Sequence, residues 1–138
     1  MSSKGLIVLS DYYKDISNNL LKNCISILSI NFLKADVKIV SGSLEIPTLI
    51  SREIKKEKYK FFIALGCIIK GKTPHFDFIS SAIVSSLLNL SVSSGKPVGN
   101  GIITCLNYKQ AIERSSKSKS KNKGIEAAKA VISLLKHK

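Results

Sequence analysis

Phe61-Phe62-Ile63-Ala64-Leu65-Gly66-Cys67-Ile68-Ile69-Lys70-Gly71-Lys72-Thr73-Pro74-His75-Phe76-Asp77 is the stretch on which the fold turns. The run from Phe61 to Ile69 is apolar without alternation, as in a strand covered on both faces, and it stops at a glycine flanked by lysines. Thr73 and Pro74 then suit the N-cap and first turn of a helix. Free N–H groups at a helix start, the positive end of its dipole and two ammonium groups all favour a phosphate-sized anion. His75 follows at once, and an imidazole can pass protons near neutral pH. The blander reading is a solvated loop histidine beside a common strand–helix junction.

Outward from this stretch the chain alternates. Strands are expected at Gly5–Ser10, Asp36–Val40, Phe61–Ile69 and Pro97–Thr104, and helices at about 16–31, 46–58, 75–94, 108–115 and 123–136. That order implies an α/β three-layer sandwich, flavodoxin-like, with a central four-stranded parallel sheet and helices on both faces. The 138 residues, 44% of them hydrophobic, are expected to form a single domain over 1–138. No run approaches the roughly 20 uninterrupted apolar residues of a membrane span, and the first residues lack a signal-peptide layout, so a cytoplasmic protein is expected. Cys24, Cys67 and Cys105 are odd in number and widely spaced, which argues against disulfides and against a metal site.

The formal charge of +13 raises the question of nucleic acid. Only Arg52 and Arg114 are arginines, however, and lysine is spread along the chain rather than clustered. This reads as a lysine-rich solvated surface, with Ser115–Lys123 as a basic loop that either stays open or closes over an anion. Neither nucleic acid nor membrane is expected as a partner.

In a parallel sheet the carboxyl ends of the strands share one edge, and ligands bind there. Four segments converge on it: Ser10–Tyr13, Ser41–Pro47, the histidine loop and Thr104–Asn107. Tyr12 suits stacking on a flat heterocycle or simply capping the sheet edge. Gly42 suits close approach of a ligand or a plain turn, and Glu45 suits binding hydroxyls or complementing a helix dipole.

Gly42-Ser43-Leu44-Glu45-Ile46-Pro47, the block Ala64–Asp77, Pro97–Thr104 leading to Gln110–Arg114, and Asn122-Lys123-Gly124 before an alanine-rich helix occur in that order. Together they resemble the lumazine synthase family over nearly the whole chain. The resemblance implies condensation of 5-amino-6-(D-ribitylamino)uracil with 3,4-dihydroxy-2-butanone 4-phosphate to 6,7-dimethyl-8-ribityllumazine, the penultimate step of riboflavin synthesis, with no cofactor. It implies His75 as the catalytic proton carrier. Tyr12, Ser43, Leu44, Glu45, Cys67, Ile68, Ile69 and Asn100 would bind the ribitylaminouracil. Lys72, Thr73 and Arg114 would bind the phosphate substrate, with Lys123 nearby. A homopentamer with active sites between subunits is implied, with riboflavin synthase as a candidate partner.

The chain departs from the family pattern at three places. Asn100 stands where many members carry phenylalanine, Lys70 stands for an arginine, and the connection Arg114–Lys123 is slightly longer than in some members. Some family pentamers pack into hollow capsids; the brief segment before Gly5 points to the smaller assembly. The alternative function is a non-catalytic flavin- or lumazine-binding module of the same fold.

Overall fold

The computed structural model describes residues 4–71, 75–117 and 121–137. Four parallel strands form one sheet: β1 (Lys4–Ser10), β2 (Lys34–Val40), β3 (Phe62–Ile69) and β4 (Val98–Cys105), in the order β2-β1-β3-β4. Ile7 pairs with Val37 on one side and Ile63 on the other, and Cys67 is level with Ile103. The expected parallel sheet is therefore present. β1 and β3 are central and buried through most of their lengths, which is why their sequences are continuously apolar.

The helices are α1 (Lys14–Ile30), α2 (Ile46–Lys55), α3 (His75–Ser94), α4 (Tyr108–Arg114) and α5 (Lys123–Leu135). Alternate strand residues serve two cores. Ile7, Leu9, Ile63, Leu65 and Ile103 pack with Ile16, Leu20, Cys24 and Leu28 of α1 and with Ala127, Ala128 and Val131 of α5. Leu6, Val8, Phe62, Ala64 and Ile102 point the other way, onto Ile46 and Ile50 of α2 and Ile83 and Leu87 of α3. The four-residue spacing of the α1 set makes one helical stripe, and each of its leucine and isoleucine side chains stabilises the fold by about 1.5–3 kcal/mol when fully buried. A Cβ on Gly124 would lie 2.5 Å from the Leu20 carbonyl, so only glycine lets α5 come this close to α1.

Expected and observed elements differ only at their ends. α2 stops at Lys55 rather than near Lys58 because Glu57 turns to φ +56°, a left-handed conformation that ends a helix. Glu45 belongs to a 3-10 turn, Ser43–Glu45, that leads into α2.

α3 differs from the other helices in its exposure. Over an 18-residue window its mean hydropathy is 1.4, and by length and composition alone it could cross a membrane. Only 11% of that window is buried; Phe78, Val84, Leu88 and Val92 face outward. Serines and Asn89 interrupt the apolar run.

Candidate active site

The sheet order places a break in winding direction between β1 and β3, since the chain leaves β1 toward β2 and leaves β3 toward β4. Ligands of open α/β sheets bind outside the carboxyl ends at such a point. A cavity of about 350 Å³ lies there, lined by Ser10, Tyr12, Tyr13, Gly42, Ser43, Leu44, Glu45, Cys67, Ile68, Ile69 and Ile79. Seven of the expected site residues, Tyr12, Ser43, Leu44, Glu45, Cys67, Ile68 and Ile69, thus meet around one hollow. Its volume suits a single heterocycle with a polyol arm.

Local sequence explains the shape. A Cβ on Gly66 would lie 2.9 Å from Ser43 Oγ and 3.2 Å from the Ser10 side chain. Glycine in mid-strand therefore admits the Ser43 turn against β3. Ser17 Oγ donates to the Ser10 carbonyl and satisfies the end of β1 from α1. Ser41 Oγ donates to Glu45 Oε1 at 3.2 Å, which steers that carboxylate across the turn.

The floor is neutral. Burial, reinforced by neighbouring Cys105, pushes the Cys67 thiol up to about 12, so it stays protonated and is no nucleophile at neutral pH. Burial first, then Cys67 and Tyr12, also raises Tyr13, whose phenol keeps its proton. Cys105 Sγ donates to the Asn107 carbonyl at 3.3 Å. All three cysteines are free thiols, and no group of three or more metal-ligating side chains occurs among the described residues.

Arg114 and Lys123 lie elsewhere. They line a second cavity of about 390 Å³ with Ile103, Thr104, Glu113, Lys121 and Glu126. Arg114 Nη1 donates to the Thr104 carbonyl at 2.8 Å, which anchors the guanidinium at the end of β4 and leaves its other N–H groups to face the cavity or solvent. Lys123 Nζ is 3.3 Å from Glu126 Oε2. The two cavities share no lining residue.

His75 is exposed at the first position of α3, four residues before Ile79 of the first cavity and so on the same helical face. Asn100 is in neither lining; its Oδ1 accepts from Ile102 N at 3.0 Å, folding the side chain back on its own strand. Lys72 and Thr73, with the expected helix cap at Thr73-Pro74, lie outside the described residues. Lys70 donates its N–H to the Cys105 carbonyl, extending the β3–β4 pairing to the rim. Sequence reasoning did not single out Ile79 or Lys121. Ile79 was readable as the i+4 neighbour of His75, whereas Lys121 was covered only as part of the basic loop Ser115–Lys123, with nothing to distinguish it from the other lysines there.

Residues 2–138 match the model of the family described as 6,7-dimethyl-8-ribityllumazine synthase. The chain belongs to this family. It is 40% identical over 131 residues to a protein of that name from Bartonella tribocorum, covering 94% of this chain and 86% of the relative. A namesake from Buchnera aphidicola subsp. Baizongia pistaciae is 41% identical over 133 residues, covering 94% and 83%. One from Nitrobacter hamburgensis is 38% identical over 141 residues, covering 99% and 86%.

Proposed function

We propose that this chain condenses 5-amino-6-(D-ribitylamino)uracil with 3,4-dihydroxy-2-butanone 4-phosphate to give 6,7-dimethyl-8-ribityllumazine, with release of phosphate and water, and that its residues divide the work between the two cavities. Family membership supports the reaction. The single observation that carries the division is the gathering of Tyr12, Ser43, Glu45 and the Cys67–Ile69 strand end around one hollow with an apolar floor at the switch point of the sheet.

The first cavity takes the pyrimidine. Tyr12 stacks on its ring, the turn Ser43–Glu45 meets the ribityl hydroxyls, and the Cys67–Ile69 backbone supplies fixed donors and acceptors. Asn100, which lines neither cavity of its own chain, reaches the pyrimidine from the neighbouring subunit through its main chain, because its side chain is engaged with Ile102. The second cavity takes the phosphate. Arg114, already oriented by Thr104, offers paired N–H donors, and Lys123 adds charge beside it. Lys72 and Thr73 belong to the same phosphate group by their place in the family motif.

The amine attacks the ketone, water leaves as the imine forms, phosphate is eliminated and the ring closes with loss of water. His75 accepts and returns the protons of these steps. Neither the chemistry nor the neutral floor calls for a cofactor. Holding two substrates together provides much of the acceleration.

The assembly is a homo-oligomer, a pentamer, in which the first cavity of one subunit meets the second cavity of its neighbour. The apolar face of α3 and the outward Val37 and Ile39 of edge strand β2 support burial between copies. One lumazine synthase-like domain spans 1–138, and three free thiols fit a reducing cytoplasm. Riboflavin synthase, which consumes the product, is the proposed protein partner.

The test uses mixed assemblies. Tyr12→Ala and Arg114→Ala chains, each poorly active alone, regain activity on co-assembly if one site draws on two chains, because some sites then hold neither lesion. Mixtures no better than the sum of the two pure variants would place both residues in one subunit's site. Lumazine absorbance and phosphate release, corrected for the uncatalysed reaction, are the readouts. Turnover absent from correctly assembled wild-type protein would leave the non-catalytic lumazine-binding reading.

A further inference from the structure

Tyr12 is 73% exposed, and it stands in the short connection between β1 and α1, where the backbone alone does not fix a ring. A stacking surface that swings freely binds weakly, because ordering it costs free energy at the moment of binding. Its neighbours answer this. The rings of Tyr13 and Tyr12 meet with centroids 4.9 Å apart at 74°, the T-shaped geometry that aromatic quadrupoles favour.

Tyr13 is itself held on its other side. It is the N-cap of α1, half-buried against the α1–α5 core, and its ring lies 6.4 Å from that of Tyr108 at the start of α4. The Tyr108 hydroxyl donates to Asp15 Oδ2, back in the first turn of α1 and 93 residues away in sequence. Asp15 also sits where a negative charge complements the dipole of α1. The contacts form a closed loop from the pocket wall, through two rings, to a carboxylate on the helix that starts at that wall.

We propose that Tyr13, Tyr108 and Asp15 are positioning residues that set the plane of the Tyr12 ring for the flat substrate. The inference rests on the reading of Tyr12 as the stacking surface. It predicts that the three residues act on the affinity for the ribitylaminouracil and not on the phosphate substrate, since Arg114 at the far end of α4 has its own anchor on Thr104.

Steady-state kinetics of the assembled enzyme test it. Tyr108→Ala truncates an exposed ring and opens no core cavity. It is expected to raise KM for the ribitylaminouracil about three- to fivefold, within what an aromatic pair contributes, with kcat and KM for the phosphate substrate unchanged. Tyr108→Phe keeps the ring and loses only the bond to Asp15, and should fall between. Tyr13→Leu, which removes the ring next to Tyr12 and also changes the cavity wall that Tyr13 lines, should raise that KM at least as much as Tyr108→Ala. In a Tyr12→Ala background, Tyr108→Ala should add nothing.

An effective Tyr12→Ala beside a silent Tyr108→Ala and Tyr13→Leu would overturn the buttress alone. Additive effects in the double variant, or equal rises in KM for both substrates, would also overturn it, since a merely structural role behaves that way. A silent Tyr12→Ala would remove the stacking reading and the buttress with it.

Discussion

The hollow beneath Tyr12 and the groove beside Arg114 are of similar size and differ in how they are built. The first has an apolar floor with one neutral thiol, Cys67, and the phenol of Tyr13, and its shape depends on the close approach that Gly66 permits. The second is made of charges of both signs on α4 and α5, with one guanidinium fixed by a carbonyl. In the proposed division, shape selects a heterocycle in one and charge selects a phosphate in the other. Binding a flat uncharged ring needs a dry surface, and binding an anion needs donors that are already oriented.

The sharpest way to break this contrast is Arg114→Ala. Loss of charge-assisted hydrogen bonds is expected to raise KM for the butanone phosphate by about 10- to 100-fold while leaving KM for the ribitylaminouracil within about twofold. Arg114→Lys should recover only part, because an ammonium lacks the fork. Tyr12→Ala is the mirror experiment. About tenfold weaker use of the ribitylaminouracil is expected, with the phosphate substrate untouched. If either variant impaired both substrates equally, the division between the cavities would be wrong.

His75→Ala addresses the step between them. A fall in kcat of roughly fivefold is expected, small for a proton carrier because co-binding of the substrates does much of the work, and assembly by size-exclusion chromatography should not change.

The smallest effect belongs away from both cavities. Glu53 is buried and receives Lys56 Nζ at 2.6 Å and Lys38 Nζ at 2.9 Å. Hydrogen bonds from Lys56 and Lys38 hold its carboxyl below the usual glutamate value of 4.5. Since the folded value is depressed, this stabilisation is complete above the unfolded value and is lost as pH falls through the folded one. Thermal unfolding between pH 7 and more acidic buffers should show the loss. Glu53→Gln should cost about 1 kcal/mol at pH 7 and flatten the acid dependence, without changing either KM. An unchanged acid dependence would show that other carboxylates set it.

Much of this architecture was legible before any coordinates. Phe61–Ile69 reads as a strand covered on both sides, as β3 is, and the four-residue stripe of Ile16, Leu20, Cys24 and Leu28 is a local pattern. The family motifs then named seven of the eleven residues that line the first cavity. The resemblance already implied that Arg114 and Tyr12 of one site come from different chains. What sequence could not show was the form of the separation within one chain, where the two residues line cavities with no lining residue in common. The Asn100 side chain turns back on its own strand because Ile102 N offers it a partner, a choice that no pattern records. The Tyr108–Asp15 bond joins residues 93 apart, beyond the reach of any periodicity.

The tyrosine cluster has an optical consequence. The chain has four tyrosines and no tryptophan, and three of those tyrosines, Tyr12, Tyr13 and Tyr108, form the chain of rings beside the first cavity. Three of the four tyrosine rings therefore stand at, or one or two ring contacts from, the place where a conjugated, longer-wavelength-absorbing heterocycle would stack. Quenching of tyrosine emission would report occupancy of the site directly, with no label and no substitution.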